Sequence, residues 1–336
     1  MSTPGLSVVV IGRNEGARLE RCLRSVGAMV MPAGMACEVI YVDSASVDGS
    51  VQLATALGAR VISLPAGRTT AALGRNAGWR AATTPWVLFL DGDTILHPRF
   101  VIDSLPEFGV DTAIVWGHRR EIHTADSLFN RVLDLDWIYA PGITEFCGGD
   151  ALVRREALQQ VSGFDEHLIA GEEPEMCRRM RARGWKILHV DRPMTGHDLA
   201  MTAWPQYWKR ATRAGYAYAE VSERFRKSGL PFWEEDARRN RSRALILAGL
   251  IAGGVVLSVA ARNALPLAAV AALLSALVIR TAVKVAWKSP SFTTRLWYGA
   301  HSQFQQIPIY LGQLQYRRDR RNGRSRGLIE YKGTSS

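Results

Sequence analysis

The chain reads as an α/β domain with a mostly parallel sheet flanked by helices, followed by an apolar helical hairpin and a basic, amphipathic tail. Three observations predict this. Short β-branched runs alternate with helical apolar patterns over the first two hundred or so residues. One run, Trp86-Val87-Leu88-Phe89-Leu90, enters Asp91-Gly92-Asp93, so a buried strand delivers two carboxylates to its carboxyl end, where open α/β sheets bind ligands. Finally, apolar residues are concentrated between Ala244 and Trp287.

Leu6 to Ile11 suits a first buried strand; it ends in Gly12-Arg13-Asn14-Glu15-Gly16, and Leu19, Cys22, Leu23 and Val26 then mark one face of a helix. A second strand, Cys37 to Val42, runs into Asp43-Ser44-Ala45-Ser46-Val47-Asp48-Gly49-Ser50, with Ser46 or Asp48 as candidate cap of a helix through Leu53 to Leu57. Arg60 to Leu64 is a third strand, and Thr70 to Ala82 a helix containing Gly74-Arg75-Asn76-Ala77-Gly78. Crossover connections gather Asp43, Asp48, Asp91 and Asp93 at one sheet edge. Residues two apart in extended chain face the same way, so Asp91 and Asp93 are expected to approach one hard cation or a cation-bearing diphosphate, with Gly92 admitting close backbone. Neither G-x-G-x-x-G nor the Walker glycine loop occurs, so a diphosphate bound here needs a metal in place of a glycine cradle.

Further on, Phe146-Cys147-Gly148-Gly149-Asp150-Ala151 is a glycine-rich turn entering a strand, and Gly171-Glu172-Glu173-Pro174-Glu175 opens an acid-rich helix. In order, Arg13-Asn14-Glu15, Val42 to Ser50, Gly74 to Gly78 and Phe89 to Asp93 resemble the family 2 glycosyltransferases of the GT-A fold, over about the first 220 residues. The resemblance implies that Asp43 contacts the nucleotide base, with Asn14 and Glu15 near base and ribose and Arg75 near base or diphosphate. It implies that Asp91 and Asp93 are the family's Asp-x-Asp, the second ligating Mg²⁺ or Mn²⁺ on a sugar-nucleotide diphosphate. Glu173 stands where the family has its general-base aspartate, a departure that adds one methylene; Gly149, Asp150 and Glu172 fall on the acceptor side. His197, in Thr195-Gly196-His197-Asp198 just past a predicted strand, is the third metal-ligand candidate. Trp204, Tyr207, Trp208, Arg210, Arg213, Tyr216 and Tyr218 form an aromatic and basic helix that suits either an acceptor sugar, with Trp208 as its contact, or a membrane interface. The Q-x-x-R-W of the family's processive synthases is absent, which argues for adding a single sugar.

The net charge of +11 concentrates at residues 204–243 and 317–326, bracketing the apolar block, and so suits an anionic lipid surface better than nucleic acid. Four cysteines, Cys22, Cys37, Cys147 and Cys177, lack metal-ligand spacing and read as reduced thiols. No basic stretch precedes Leu6, so no cleavable signal peptide is expected. Helices at about 244–261 and 265–283 would form a membrane hairpin, and Arg238, Arg239, Arg241 and Arg243 before it with Arg280, Lys284 and Lys288 after it place both ends in the cytoplasm, at the inner membrane. The expected organisation is a catalytic domain over residues 1–232, the hairpin over 233–290 and an interfacial tail over 291–336. The expected activity is metal-dependent, inverting transfer from a nucleotide sugar to a lipid-linked or growing glycan acceptor. Transfer to polyprenyl phosphate, or a non-catalytic nucleotide-binding scaffold, are the alternatives.

Overall fold

The structure, a computed structural model, describes residues 5–67 and 69–323. Their contacts divide them into two compact units, residues 5–123 with 137–200, and residues 124–136 with 201–323.

The first unit is built on one mixed sheet. Among the described residues its strands are β1 (Gly5–Gly12), β2 (Ala36–Asp43), β3 (Arg60–Ser63), β4 (Trp86–Asp91), β5 (Thr94–Leu96), β6 (Thr112–Glu121), β7 (Gly142–Thr144), β8 (Ala151–Arg154) and β9 (Lys186–His197), in the order β3-β2-β1-β4-β8-β6-β9-β5 with β7 on β9. From β3 to β4 the sheet is parallel, as the alternating pattern predicts. Beyond β4 it is mixed, because β8 runs antiparallel to both β4 and β6. His197, expected just past a strand, is instead the last residue of β9, held there by pairing with Thr94 and Glu121.

Helices α1 (Ala17–Gly27), α2 (Ser50–Ala56), α3 (Ala71–Ala81), α4 (Phe100–Ser104), α6 (Arg155–Val161) and α7 (Glu172–Arg181) complete the unit. Leu19, Cys22, Leu23 and Val26 are the buried face of α1. Gly49, in the left-handed region, takes the cap position of α2, while the Asp48 carboxylate accepts the Ser50 N–H at 3.1 Å; Ser46 is used elsewhere. Thr70 caps α3 through Leu73 N at 3.1 Å. A Cβ at Gly78 would collide with Val9, and one at Gly74 would lie 3.3 Å from Ile11. Those two glycines seat α3 tightly on β1, which is why Arg75 between them is buried to 3% exposure.

The second unit is helical: α5 (Leu128–Asp134), α8 (Trp204–Ser228), α9 (Glu234–Ala260), α10 (Leu265–Lys284), α11 (Phe292–Phe304) and α12 (Gln306–Arg321). Glycines set its closest crossings. A side chain at Gly215 would meet the Ile309 carbonyl and one at Gly312 the Thr212 carbonyl, so α8 and α12 touch backbone to backbone. Helix α9 starts ten residues before the apolar stretch, because Glu234, Glu235 and Asp236 occupy its first turn, Glu235 pairing with Arg238 at 3.9 Å and Asp236 with Arg239 at 3.5 Å. Both α9 and α10 are long and apolar enough to cross a membrane, and they leave Ile246, Val256, Leu257, Val259, Leu265 and Val283 exposed. The aromatic stretch after them folds as α11 and α12; residues 324–336 of the predicted tail lie outside the described residues.

One charged cluster organises this unit. Asp136, just after α5, accepts from Tyr298 Oη at 3.1 Å and lies 3.5 Å from His301 Nε2 and 3.8 Å from Arg210. Tyr207 Oη is 2.7 Å from His301 Nδ1. Burial works to raise the Asp136 pKa, but the charge and hydrogen bond of His301, with Arg210 and Tyr298, outweigh it and hold the carboxyl down at about 2.

Candidate active site

β4 ends at Asp91, and Gly92 and Asp93 then form a turn rather than continuing the strand. Gly92 N donates to Ile11 O at 2.8 Å, and a Cβ there would sit 3.1 Å from that oxygen and 3.2 Å from Glu15 Cγ, so the tight approach expected of Gly92 is present. The turn changes one expectation: Asp91 and Asp93 do not continue one extended strand, and their carboxylates meet different partners. The Asp91 carboxylate meets Arg75 Nη2 at 2.8 Å and Arg119 Nη1 at 3.3 Å, whereas Asp93 Oδ2 lies 3.4 Å from His197 Nε2.

Arg75 is the hub. Its Nη1 also reaches Glu172 at 2.9 Å and Glu173 at 3.0 Å, tying the end of β4 to the start of α7. Gly149 lies against this knot, for a Cβ there would come within 2.6 Å of Arg75 Nη2 and 2.9 Å of Asp91 Oδ2. Glu173 keeps 16% of its side chain exposed. Burial and the neighbouring Glu172 push its pKa up to about 7, and Arg75 only partly offsets them. A carboxylate poised near neutrality is suited to take a proton at working pH.

Asp150, expected on the acceptor side, is buried, accepts the Asp91 N–H at 3.0 Å and Thr195 Oγ1 at 2.7 Å, and lies 3.5 Å from Arg119. It positions Asp91. Arg119 in turn lies over Trp137 with its guanidinium carbon 5.2 Å from the ring centroid, and Trp137 packs edge-on to His197 at 4.7 Å.

The family pattern described as Glycosyl transferase family 2 matches residues 7–162, and that described as Glycosyl transferase family group 2 matches residues 86–288, more than half the chain. The chain belongs to the family 2 glycosyltransferases. Among similar proteins, the pre-mycofactocin glycosyltransferase of Mycobacterium tuberculosis is 26% identical over 209 residues, covering 57% of this chain and 42% of that protein. Glycosyltransferase AglE of Haloferax volcanii is 24% identical over 198 residues, 55% of this chain and 64% of its own. The chain thus matches between two fifths and two thirds of the length of these relatives. A solved mannosyltransferase, PcManGT of Pyrobaculum calidifontis in complex with GDP-Man and Mn²⁺, superposes with a TM-score of 0.65 over 95% of this chain and 88% of that one at 18% identity, which establishes a shared GT-A fold.

In this family member the residues expected near the nucleotide base help shape two loops. Asn14 has a φ of 53°; its N–H donates to Ser46 Oγ at 2.9 Å and its Oδ1 accepts from Val47 N at 2.8 Å. Asp43 is buried at the end of β2, accepting from Tyr41 Oη at 3.0 Å and Ser46 N at 2.9 Å. Glu15 pairs with Arg18 at 2.9 Å while its stem lies against Gly92. Trp208 stands on α8 of the second unit, its indole 6.0 Å from that of Trp204.

The donor chemistry fits a divalent ion. Burial and the Arg119 charge push His197 down to about 4, so its imidazole is neutral at physiological pH, the form that ligates. Its Nδ1 lies 3.5 Å from Glu121 Oε2, the carboxylate backing typical of metal-bound histidine. Leu199 N and His123 N fix Glu121, both at 2.9 Å. Among the described residues no three His, Cys, Asp or Glu side chains group as a closed site. An open site of Asp93 and His197 suits Mg²⁺ or Mn²⁺, which keep waters and substrate phosphates in their shell. Arg119, Glu121 and Thr195 were not singled out by the sequence. A signal exists: the apolar run Ala113–Trp116 turns into Arg119-Arg120-Glu121, the same switch from apolar strand to charge that marks β4.

Proposed function

We propose that this glycosyltransferase is anchored by the α9–α10 hairpin in the inner membrane, faces the cytoplasm, and transfers one sugar with inversion from a nucleotide sugar to a lipid-linked or growing glycan acceptor. The single observation that carries the reading is Arg75, whose guanidinium holds Glu173 within one residue's reach of Asp91. That arrangement supports Glu173 as a proton acceptor beside the strand end that would receive the donor diphosphate.

Asp93 and His197 would hold Mg²⁺ or Mn²⁺, which supplies neutralisation of charge on the departing diphosphate. Asn14, Glu15 and Asp43 would border the base and ribose, and Arg75 would fix Asp91 and the carboxylates of α7. Glu173 accepts the proton of the acceptor hydroxyl as its oxygen bonds to the anomeric carbon and the bond from that carbon to the phosphate oxygen breaks. The electron pair leaves with the nucleoside diphosphate. Glu172 and Gly149 shape the space beside Glu173, and Trp208 offers a flat ring to an acceptor. The basic residues flanking the hairpin support the cytoplasmic orientation.

GDP-mannose is the first donor to test, because a mannosyltransferase of the same fold binds it. The full chain in detergent with Mn²⁺ is offered labelled GDP-mannose and UDP-hexoses with polyprenyl-diphosphate-linked glycans. Transfer that needs metal, fails in Asp93→Ala and gives an anomer opposite to the donor's supports the reading. Folded protein that neither transfers nor hydrolyses any sugar nucleotide overturns it.

A further inference from the structure

We propose that a cavity between the ends of α8, α9 and α12 binds the phosphate of an anionic lipid headgroup. It has a volume of about 260 Å³ and lies wholly within the second unit. Arg226 from α8, Arg238 and Arg241 from α9 and Arg317 from α12 line it, against two acids, Glu223 and Glu234. Glu223 is already engaged: Tyr316 Oη donates to it at 3.3 Å, Arg320 pairs with it, and Arg226 and Lys227 each lie 3.9 Å away. Among the described residues no carboxylate lies within 4.0 Å of Arg241 or Arg317. Arg226 and Arg238 thus lie 3.9 Å from Glu223 and Glu235, while Arg241 and Arg317, from separate helices, face the cavity with no described carboxylate within 4.0 Å, which leaves two cations to hold a phosphate.

Position on α9 selects the source of that phosphate. Arg241 precedes Leu245 by one helical turn, about 6 Å of rise. Leu245 and Ile246 are 52% and 61% exposed and begin the apolar face that continues to Ala260. An arginine cradle one turn before a lipid-facing band stands at headgroup depth, where a free phosphate has no advantage over a phospholipid. This inference rests on the hairpin lying in the membrane, and the test separates the two.

The full chain is purified in neutral detergent and its Tm followed on adding phosphatidylglycerol, phosphatidylcholine or inorganic phosphate, with native mass spectrometry counting retained lipid. Phosphatidylglycerol is expected to raise the Tm by a few degrees and to stay bound, while the other two do neither. Arg241→Gln and Arg317→Gln, at arginines without a carboxylate partner among the described residues, should each reduce the shift and together abolish it. Arg262→Gln, in the turn at the far end of α9, should leave it intact. An equal shift with phosphatidylcholine, an equal shift with inorganic phosphate, or an undiminished shift in the double variant overturns the proposal. Should the double variant not fold, lipid retention by the two single variants decides in the same way. Resistance of the wild-type protein to carbonate extraction from phosphatidylcholine vesicles reports on the hairpin alone.

Discussion

Two buried charge clusters, one in each unit, apply the same physics with opposite sign. Around Arg75 carboxylates are in surplus: Asp91, Glu172 and Glu173 share its guanidinium. Around Asp136 they are in deficit, one carboxylate facing His301, Arg210 and the Tyr298 hydroxyl. Burial penalises the charged acid in both. The surplus leaves Glu173 at about 7, and the deficit takes Asp136 to about 2. Near neutrality Glu173 can therefore exchange a proton, whereas Asp136 stays ionised and serves to hold α5, α8 and α11 together.

The largest expected effect tests the surplus directly. Glu173→Gln keeps the shape and removes the base, so kcat should fall about 10²–10⁴-fold while nucleotide binding persists. In the wild-type enzyme the base form of Glu173 appears only above its raised pKa, so kcat should climb as pH passes through about 7. A Glu173→Gln enzyme with kcat within threefold of wild type would remove Glu173 from the chemistry. Next, Arg75→Met strips the shared cation and strands buried carboxylates, which should cost about 3–5 kcal/mol in denaturant titration. Since Arg75 holds the Glu173 pKa down, any folded Arg75→Met should also show its activity rise at higher pH than wild type.

The surplus cluster was only partly legible in the sequence, and the reason is distance along the chain. The β4 run into Asp91-Gly92-Asp93 is local, so strand and acids could be read together. The turn at Gly92 could not, because it is fixed by Ile11 O, eighty-one residues earlier in the chain. Arg75 was reachable through the resemblance alone; its burial depends on Gly74 and Gly78 meeting Ile11 and Val9 across the helix–sheet contact. Asp150 was placed on the acceptor side through the resemblance; its partners Asp91 N, Thr195 and Arg119, on three other strands or strand ends, could not be read locally. Parallel strands and their crossovers bring distant residues to one edge, and no short window contains them. The Asp136 cluster joins residues 136, 210, 298 and 301, a separation beyond any helical periodicity.

Asp136→Asn probes the deficit cluster and should act on stability. Asp136 has a folded pKa of about 2 against an ordinary 3.8. Its contribution is therefore complete above the ordinary value and disappears as pH falls from there toward 2. At pH 7 the variant should be less stable by roughly 2 kcal/mol. The gap between variant and wild type in thermal melts should close with acidification over that window. A gap that stays constant from pH 7 to pH 2.5 would show that packing, and not charge, holds Asp136.

The smallest effect offers the sharpest control, because it lies two residues from Glu173 on the same helix. Glu175 is buried and forms a one-to-one pair with Arg179, at 2.8 Å from Nε and 2.5 Å from Nη2, while Arg179 also donates to Val161 O and Gly163 O. Glu175→Gln keeps an acceptor for Arg179 and should lower stability by about 1 kcal/mol. Its kcat and the pH of its activity rise should stay close to wild type, since the charges that chiefly shift Glu173 are Glu172, Arg75 and Asp91. If Glu175→Gln moved that pH as far as Arg75→Met does, the acid-rich start of α7 as a whole, and not the sharing of one guanidinium, would set the proton affinity of Glu173.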